Sequence, residues 1–157
     1  MSGSDSSVEL RLDFPAAHSA ERAARAALRK FARKQGVLAA EIDTMEFVAS
    51  ELLSNAVDHG GGEHAMEEVD LTSSVRMTMR VRCTADAWEM EVSDQGGGDA
   101  TEVRRIIDGQ DDTPDLDDER GRGFFLLRQM VDRLEVTRSP DGLGLSFTAS
   151  RRYVAGT

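Results

Sequence analysis

Residues 75–94 read VRMTMRVRCTADAWEMEVSD, and no other stretch limits the fold as tightly. Val75, Met77, Met79, Val81 and Cys83 alternate with polar residues, residues 84–86 supply a turn, and Trp88, Met90 and Val92 resume the alternation. Successive strand side chains point to opposite faces, so the pattern predicts a hairpin with one apolar and one polar face. On the polar face Arg80 and Arg82 can sit opposite Glu89 and Glu91, which supports an antiparallel pairing. A sheet that is apolar on one side only has to be covered there and can meet water on the other.

The rest of the chain can supply the cover. VELRLDF (8–14) alternates like a further strand and is ended by Pro15. A helix is predicted from about His18 to Lys34, rich in Ala, Arg and Leu and closed by Gly36. A second is predicted from about Glu41 to His59, ended by glycines 60–62; Ile42, Met45, Ala49, Leu52, Leu53, Ala56 and Val57 give it an apolar face. Beside that face Glu51, Asn55 and His59 recur every fourth residue, a polar stripe bordering the core. From residue 99 to 120 the periodicity stops, apart from a short helical pattern near 101–108, and an acidic run with Asp111, Asp112, Asp115, Asp117 and Asp118 follows. Such a long irregular connection reads as a functional lid or a linker. GFFLLRQMVDRLEV then predicts a helix with Phe124, Leu127, Met130, Val131 and Leu134 as its stripe. A strand, the turn SPDG at 139–142 and a last strand from Leu143 to about Arg152 complete the order. The expected fold is α+β: a two-layer sandwich with a mostly antiparallel mixed sheet and its helices on one face.

At 157 residues the chain is expected to be one domain over 1–157, with residues 1–7 disordered. A net charge of −10 and a pI near 4.7 disfavour direct nucleic-acid or anionic-membrane partners. The one cysteine, Cys83, follows the apolar alternation and is read as a core residue, which suits a reducing cytoplasm. The start of the chain carries no leader pattern, and no run approaches the ~20 apolar residues of a membrane span.

Three segments carry the chemistry: ELLSNAVDHG at 51–60, SDQGGG at 93–98 where a strand ends, and RGRGFF at 120–125 where a helix begins. Neither glycine segment is a Walker loop or a G-x-G-x-x-G fingerprint. In this order, with a long loop between the glycine segments, they resemble the ATPase superfamily of gyrase, the heat-shock chaperone, the mismatch-repair ATPase and the histidine-kinase catalytic domain. ELLSNAVDHG matches the first box, DQGGG the Asp-x-Gly-x-Gly box and GRG the second glycine box. With N-x-x-x-H-G after the glutamate, the chain looks most like the serine-kinase anti-sigma factors of bacterial partner-switching systems.

The resemblance implies ATP and Mg²⁺ as cofactors, with Asn55 giving the metal its protein oxygen, and residues 99–120 acting as an ATP lid. Magnesium takes hard oxygen ligands and keeps several waters, so one side-chain oxygen beside phosphate oxygens suffices. Glu51, one turn earlier, is the candidate catalytic base for the attacking hydroxyl. His59 is read as a local cap. Asp94 shares the parity of Trp88, Met90 and Val92, so its carboxylate points into the covered layer and needs a donor there; the family makes that donor the adenine amino group. Gly96 and Gly98 allow close approach of the backbone to the base, and Gly121 and Gly123 open a helix whose free N–H groups attract phosphate, with Arg122 between them. Arg104 and Arg105 read equally well as phosphate contacts or as solvated arginines. The last strand carries Gly144-Leu145 where the family commonly has Gly-Thr.

The function so implied is an ATP-dependent serine/threonine kinase that phosphorylates an antagonist (anti-anti-sigma) protein and holds a sigma factor, as a homodimer. The basic helix face of Arg22, Arg25, Arg29, Lys30, Arg33 and Lys34 is a candidate partner surface, although a solvated face is the commoner fate of such residues. The competing reading is a nucleotide-fold module that acts by gripping partners, with weak or no kinase activity. A histidine kinase ranks lower, because no helical hairpin offers a phosphoacceptor histidine and His18 falls at a helix start.

Overall fold

β2 (Arg76–Cys83) and β3 (Ala87–Ser93) form the expected hairpin, with Met79 opposite Val92, Val81 opposite Met90 and Cys83 opposite Trp88. On its outer face Arg80 pairs with Glu91 at 3.4 Å and Arg82 with Glu89 at 3.0 Å. The computed structural model describes residues 8–15, 17–57, 76–95, 100–101, 103–104 and 119–153, with backbone alone at 119–122. β1 (Val8–Pro15) adds to β2, while β4 (Arg133–Arg138) and β5 (Leu145–Arg152) add to the other side, giving the order β1-β2-β3-β5-β4. All four described pairings are antiparallel, so the mixed component of the expectation is not seen among them.

Three helices are described, and their apolar residues meet the sheet's apolar face. α1 (His18–Lys34) buries Ala24, Leu28 and Ala32. It stops where the glycine predicts: Gly36 sits at φ +80°, its N–H donates to Arg33 O at 3.0 Å, and Val37 N–H reaches back to Ala32 O at 3.1 Å. α2 (Ala39–Asn55) buries Ile42, Met45, Val48, Ala49, Leu52 and Leu53. Against them lie Met77, Met79, Val81, Trp88, Met90, Val92 and Phe147, none more than 1% exposed. Each such side chain contributes about 1.5–3 kcal/mol by leaving water. α3 (Glu119–Met130) stacks Phe124 on Phe147 with ring centroids 5.7 Å apart.

α2 was expected to reach His59; its regular α-helix ends at Asn55 and widens into a π turn at residues 56–57, and the expected end at His59 lies outside the described residues. The last helix was expected to carry Val131 and Leu134, but α3 stops at Met130 and Leu134 lies on β4, opposite Ala149. The cause is β5. Asp132 N–H donates to Ser150 O at 2.9 Å, and Asp132 Oδ2 accepts Arg152 N–H at 2.7 Å, so the backbone is captured by the sheet two residues past the helix. The expected disorder at 1–7 and most of the expected lid lie outside the described residues. No helix among the described residues is long and apolar enough to cross a membrane.

A buried polar knot joins the layers at the start of β3. Glu41, 7% exposed in the first turn of α2, accepts from Trp88 Nε1 at 2.8 Å and from Arg151 Nε at 2.7 Å. Arg151 also donates to Met130 O at the end of α3, at 2.8 Å. One guanidinium therefore fixes α2, α3 and the sheet to one another.

Candidate functional site

Asp94 follows the last residue of β3 and is 2% exposed, as the strand parity requires. The sheet continues through it: Asp94 N–H donates to Leu145 O at 2.9 Å, and its Oδ1 accepts from Leu145 N–H at 3.2 Å. Part of the donor need of this buried carboxylate is thus met by the backbone of β5. The close pairing explains Gly144, which the sequence showed only as half of a departure from Gly-Thr. A Cβ on residue 144 would lie 2.3 Å from both Asp94 O and Asp94 Oδ1, so only glycine fits. Leu145 is itself buried, and Ser146 turns to the other face, where its hydroxyl meets that of Ser93 at 3.0 Å.

Gln95 is a second residue that sequence reasoning passed over. Its Oε1 accepts Arg76 N–H at 2.9 Å and its Nε2 donates to Asp141 Oδ2 at 3.3 Å, stapling the segment after Asp94 to β2 and to the β4–β5 turn. Within that turn Asp141 Oδ1 accepts from Ser139 Oγ at 2.7 Å and from Leu143 N–H at 2.9 Å. These donors, with the Gln95 amide, hold the Asp141 carboxyl below its usual range. The SPDG motif announced the turn; nothing in the sequence announced its bond to Gln95.

On the helix layer the final turns of α2 carry Glu51, partly buried, and Asn55, 9% exposed. Between them Ser54 Oγ donates to Glu21 Oε1 at 2.8 Å, and Glu21 Oε2 lies 2.7 Å from His18 Nδ1, so α1 braces this end of α2. Glu51 lies close to α3. A Cβ on Gly123 would lie 3.3 Å from Glu51 Oε1, so the first box and the second glycine box are neighbours.

The described part of α3 begins at Glu119, with Gly121 in its first turn and Gly123 two residues further on. Arg104 donates to Val136 O on β4 at 2.9 Å. The side chain of Arg122, and Gly96, Gly98 and Arg105, lie outside the described residues.

ATP and Mg²⁺ fit what is described: Asn55 offers an uncharged oxygen of the kind magnesium accepts, Asp94 a buried acceptor, and the first described turn of α3 backbone N–H groups of the kind that attract phosphate. A histidine kinase-like ATPase domain matches residues 14–149. No curated protein sequence matches the chain. Among solved structures, the SiaB–SiaC complex from Pseudomonas aeruginosa is similar at 15% identity, with 91% of this chain and 89% of that chain covered and a TM-score of 0.64. The RsbU and RsbW domains of Rv1364c from Mycobacterium tuberculosis are similar at 17% identity and a TM-score of 0.53; 96% of this chain spans 35% of that one. At these identities the neighbours speak for the fold, and the match over 14–149 speaks for the family. The match covers most of a chain whose sheet is five-stranded and antiparallel with its helices on one face, and the chain belongs to the histidine kinase-like ATPase domain family.

Proposed function

We propose that the chain is an ATP-dependent serine/threonine protein kinase of a partner-switching system, acting in the cytoplasm on an antagonist protein and holding a sigma factor. The close approach of the Glu51 carboxylate to Gly123 carries this reading, because it sets a candidate base beside the helix whose first turn would receive phosphate. Adenine's amino group is assigned to Asp94, with Gly96 and Gly98 letting the backbone close on the base. Asn55 is assigned to Mg²⁺, and the phosphates to the free N–H groups around Gly121, with Arg105 and Arg122 as cationic neighbours. Arg104, bonded to β4, is assigned to anchoring the segment after Asp94. Bound ATP supplies the transferable phosphoryl group; Glu51 takes the proton of the attacking hydroxyl.

Partner binding draws support from the SiaB–SiaC structure, a fold neighbour seen in complex with a second protein. The exposed arginines and lysines of α1 are the proposed partner surface. Arg29 is set apart from them, since it pairs with Asp43 and Glu46 of α2. The homodimer remains part of the proposal. The alternative, a module that binds nucleotide and partners without transferring phosphate, is favoured by Leu145, which removes a hydroxyl from the adenine end.

The test is phosphoryl transfer from labelled ATP to candidate antagonists, alongside Mg²⁺-dependent ATP binding. Glu51→Ala is expected to bind ATP and transfer nothing, because a base acts on the proton and not on the bound ground state. Asn55→Ala is expected to lose the Mg²⁺-dependent part of binding. Equal loss of nucleotide in both variants would overturn the division of roles, and ATP binding without transfer by the unaltered protein would select the binding module.

A further inference from the structure

The β2–β3 ladder ends on a side chain. Its partners run Arg82 with Glu89, Arg80 with Glu91 and Thr78 with Ser93, and the same register continued would set Arg76 opposite Gln95. Asp94 N–H donates to Leu145 O on β5, and successive residues turn their backbone groups to opposite sides of a strand, so a continued ladder would have the Gln95 carbonyl accept the Arg76 N–H. The acceptor is instead the side-chain Oε1 of Gln95, at 2.9 Å. A ladder donor is thus satisfied without the main chain, which leaves β2 after Ser93, just ahead of Gly96 and Gly98.

The far end of the same amide is anchored as well. Its Nε2 donates to Asp141 Oδ2 at 3.3 Å, Asp141 Oδ1 accepts from Ser139 Oγ at 2.7 Å, and that hydroxyl accepts from Gly144 N–H at 3.0 Å. Gly144 is the residue whose added Cβ would lie 2.3 Å from Asp94, and Leu145 after it donates to Asp94 Oδ1 at 3.2 Å. These bonds close a ring from Gln95 through the β4–β5 turn and back to Asp94.

We propose that Gln95 is a positioning residue for base recognition: it caps the ladder so that the backbone can close on adenine, and through Asp141 and the turn it fixes the direction of the Asp94 carboxylate. This deepens the nucleotide reading and rests on it. The residue type suits the task, because one planar amide carries an acceptor for Arg76 and a donor for Asp141, whereas Glu has no donor to give. Residue 145 offers Asp94 a backbone N–H and no hydroxyl, so orientation falls to the ring. An ordinary surface staple would leave a different mark, adding to stability while leaving base preference untouched.

The test compares ATP with purine riboside triphosphate, which lacks the exocyclic amino group, by calorimetry on the full chain with excess Mg²⁺. The unaltered protein is expected to favour ATP about tenfold or more. Gln95→Ala is expected to lose at least about threefold of that preference, the size of one modest hydrogen bond. Gln95→Glu keeps an acceptor for Arg76 but sets carboxylate against carboxylate at Asp141. Adding Asp141→Asn restores the pair with donor and acceptor exchanged, while the new amide oxygen can still accept from Ser139 and Leu143. The double variant should therefore recover the preference that Gln95→Glu loses, and unfolding midpoints check that each variant is folded. Equal weakening of both nucleotides by Gln95→Ala, or no recovery in the double variant, would overturn the role in base recognition. Amide hydrogen exchange on the nucleotide-free chain reads the cap by itself: Arg76 N–H should exchange about tenfold or more faster in Gln95→Ala and near the unaltered rate in Gln95→Glu. Unchanged exchange in Gln95→Ala would overturn the cap. If the unaltered protein binds no ATP, the nucleotide reading fails and the role in base recognition with it, while the exchange arm still decides the cap.

Discussion

Replacing Gly123 with alanine is expected to separate folding from catalysis. The new Cβ would lie 3.3 Å from Glu51 Oε1 and 3.9 Å from Glu51 Cδ, so the carboxylate has to give by a few tenths of an ångström. It can do so, being the end of a flexible, partly exposed side chain. Alanine is meanwhile favoured over glycine inside a helix by about 1 kcal/mol, and for a chain of this size 1 kcal/mol moves the unfolding midpoint by about 2–4 °C. Stability should hold or rise. A general base contributes about 10²–10⁴ in rate, and a base turned from its working position forfeits part of that, so transfer should fall by about 10–100-fold, or roughly 1.4–2.7 kcal/mol of barrier. The assay is single-turnover phosphoryl transfer at saturating ATP, with ATP affinity and the thermal midpoint measured on the same preparation. Full transfer by Gly123→Ala, while Glu51→Ala is inactive, would refute the reasoning. So would a midpoint lowered by more than about 5 °C, because the contact would then be one of packing.

Asp94→Asn replaces a buried charged acceptor with a weaker one, and loss of a hydrogen bond to a charged group costs about 1.5–3 kcal/mol; calorimetry should show ATP binding weakened about tenfold or more in the folded variant. Gly144→Ala should contrast with Gly123→Ala, because its Cβ would strike backbone as well as carboxylate at 2.3 Å. Overpacking of this kind costs typically 1–3 kcal/mol, so thermal unfolding should move down by several degrees and ATP binding fall with it. Burial raises the Cys83 thiol from 9.0 to about 11. The folded state therefore favours the protonated thiol, and its stabilisation is complete below pH 9 and lost as pH rises toward 11. Denaturant midpoints should fall more steeply over that window in the unaltered protein than in Cys83→Val.

The sheet was legible because its signal is local and repeated. Each apolar residue of 75–92 names its own face, and the hairpin register follows from the turn. The Schellman end of α1 was equally legible, since Gly36 alone can take φ +80° cheaply there. The end of α3 was not, because apolar residues at 127, 131 and 134 satisfy a helical period and the choice was made by a distant strand. The candidate site divides the same way. Glu51, Asn55 and Asp94 were marked by the boxes that resemble the family's, but Gly144 acquires its meaning only from Asp94, Gln95 only from Arg76 and Asp141, and Arg104 only from Val136.

The strand order also dictates when the protein acquires its site. The β2–β3 and β4–β5 hairpins close short loops and can form within microseconds, whereas joining β3 to β5 brings together residues at least 53 positions apart along the chain, the separation of Ser93 and Ser146. Adding β1 to β2 spans a comparable distance, with Asp13 and Arg76 separated by 63 positions. Long-range pairings of this kind are slow because loop-closure entropy is lost before their contacts form. Asp94 sits on the β3–β5 seam, held by Leu145. Its acceptor geometry is therefore among the last features to mature, and among the first to open when that seam loosens, so nucleotide present during refolding would act on a late step by securing the seam rather than by seeding either hairpin.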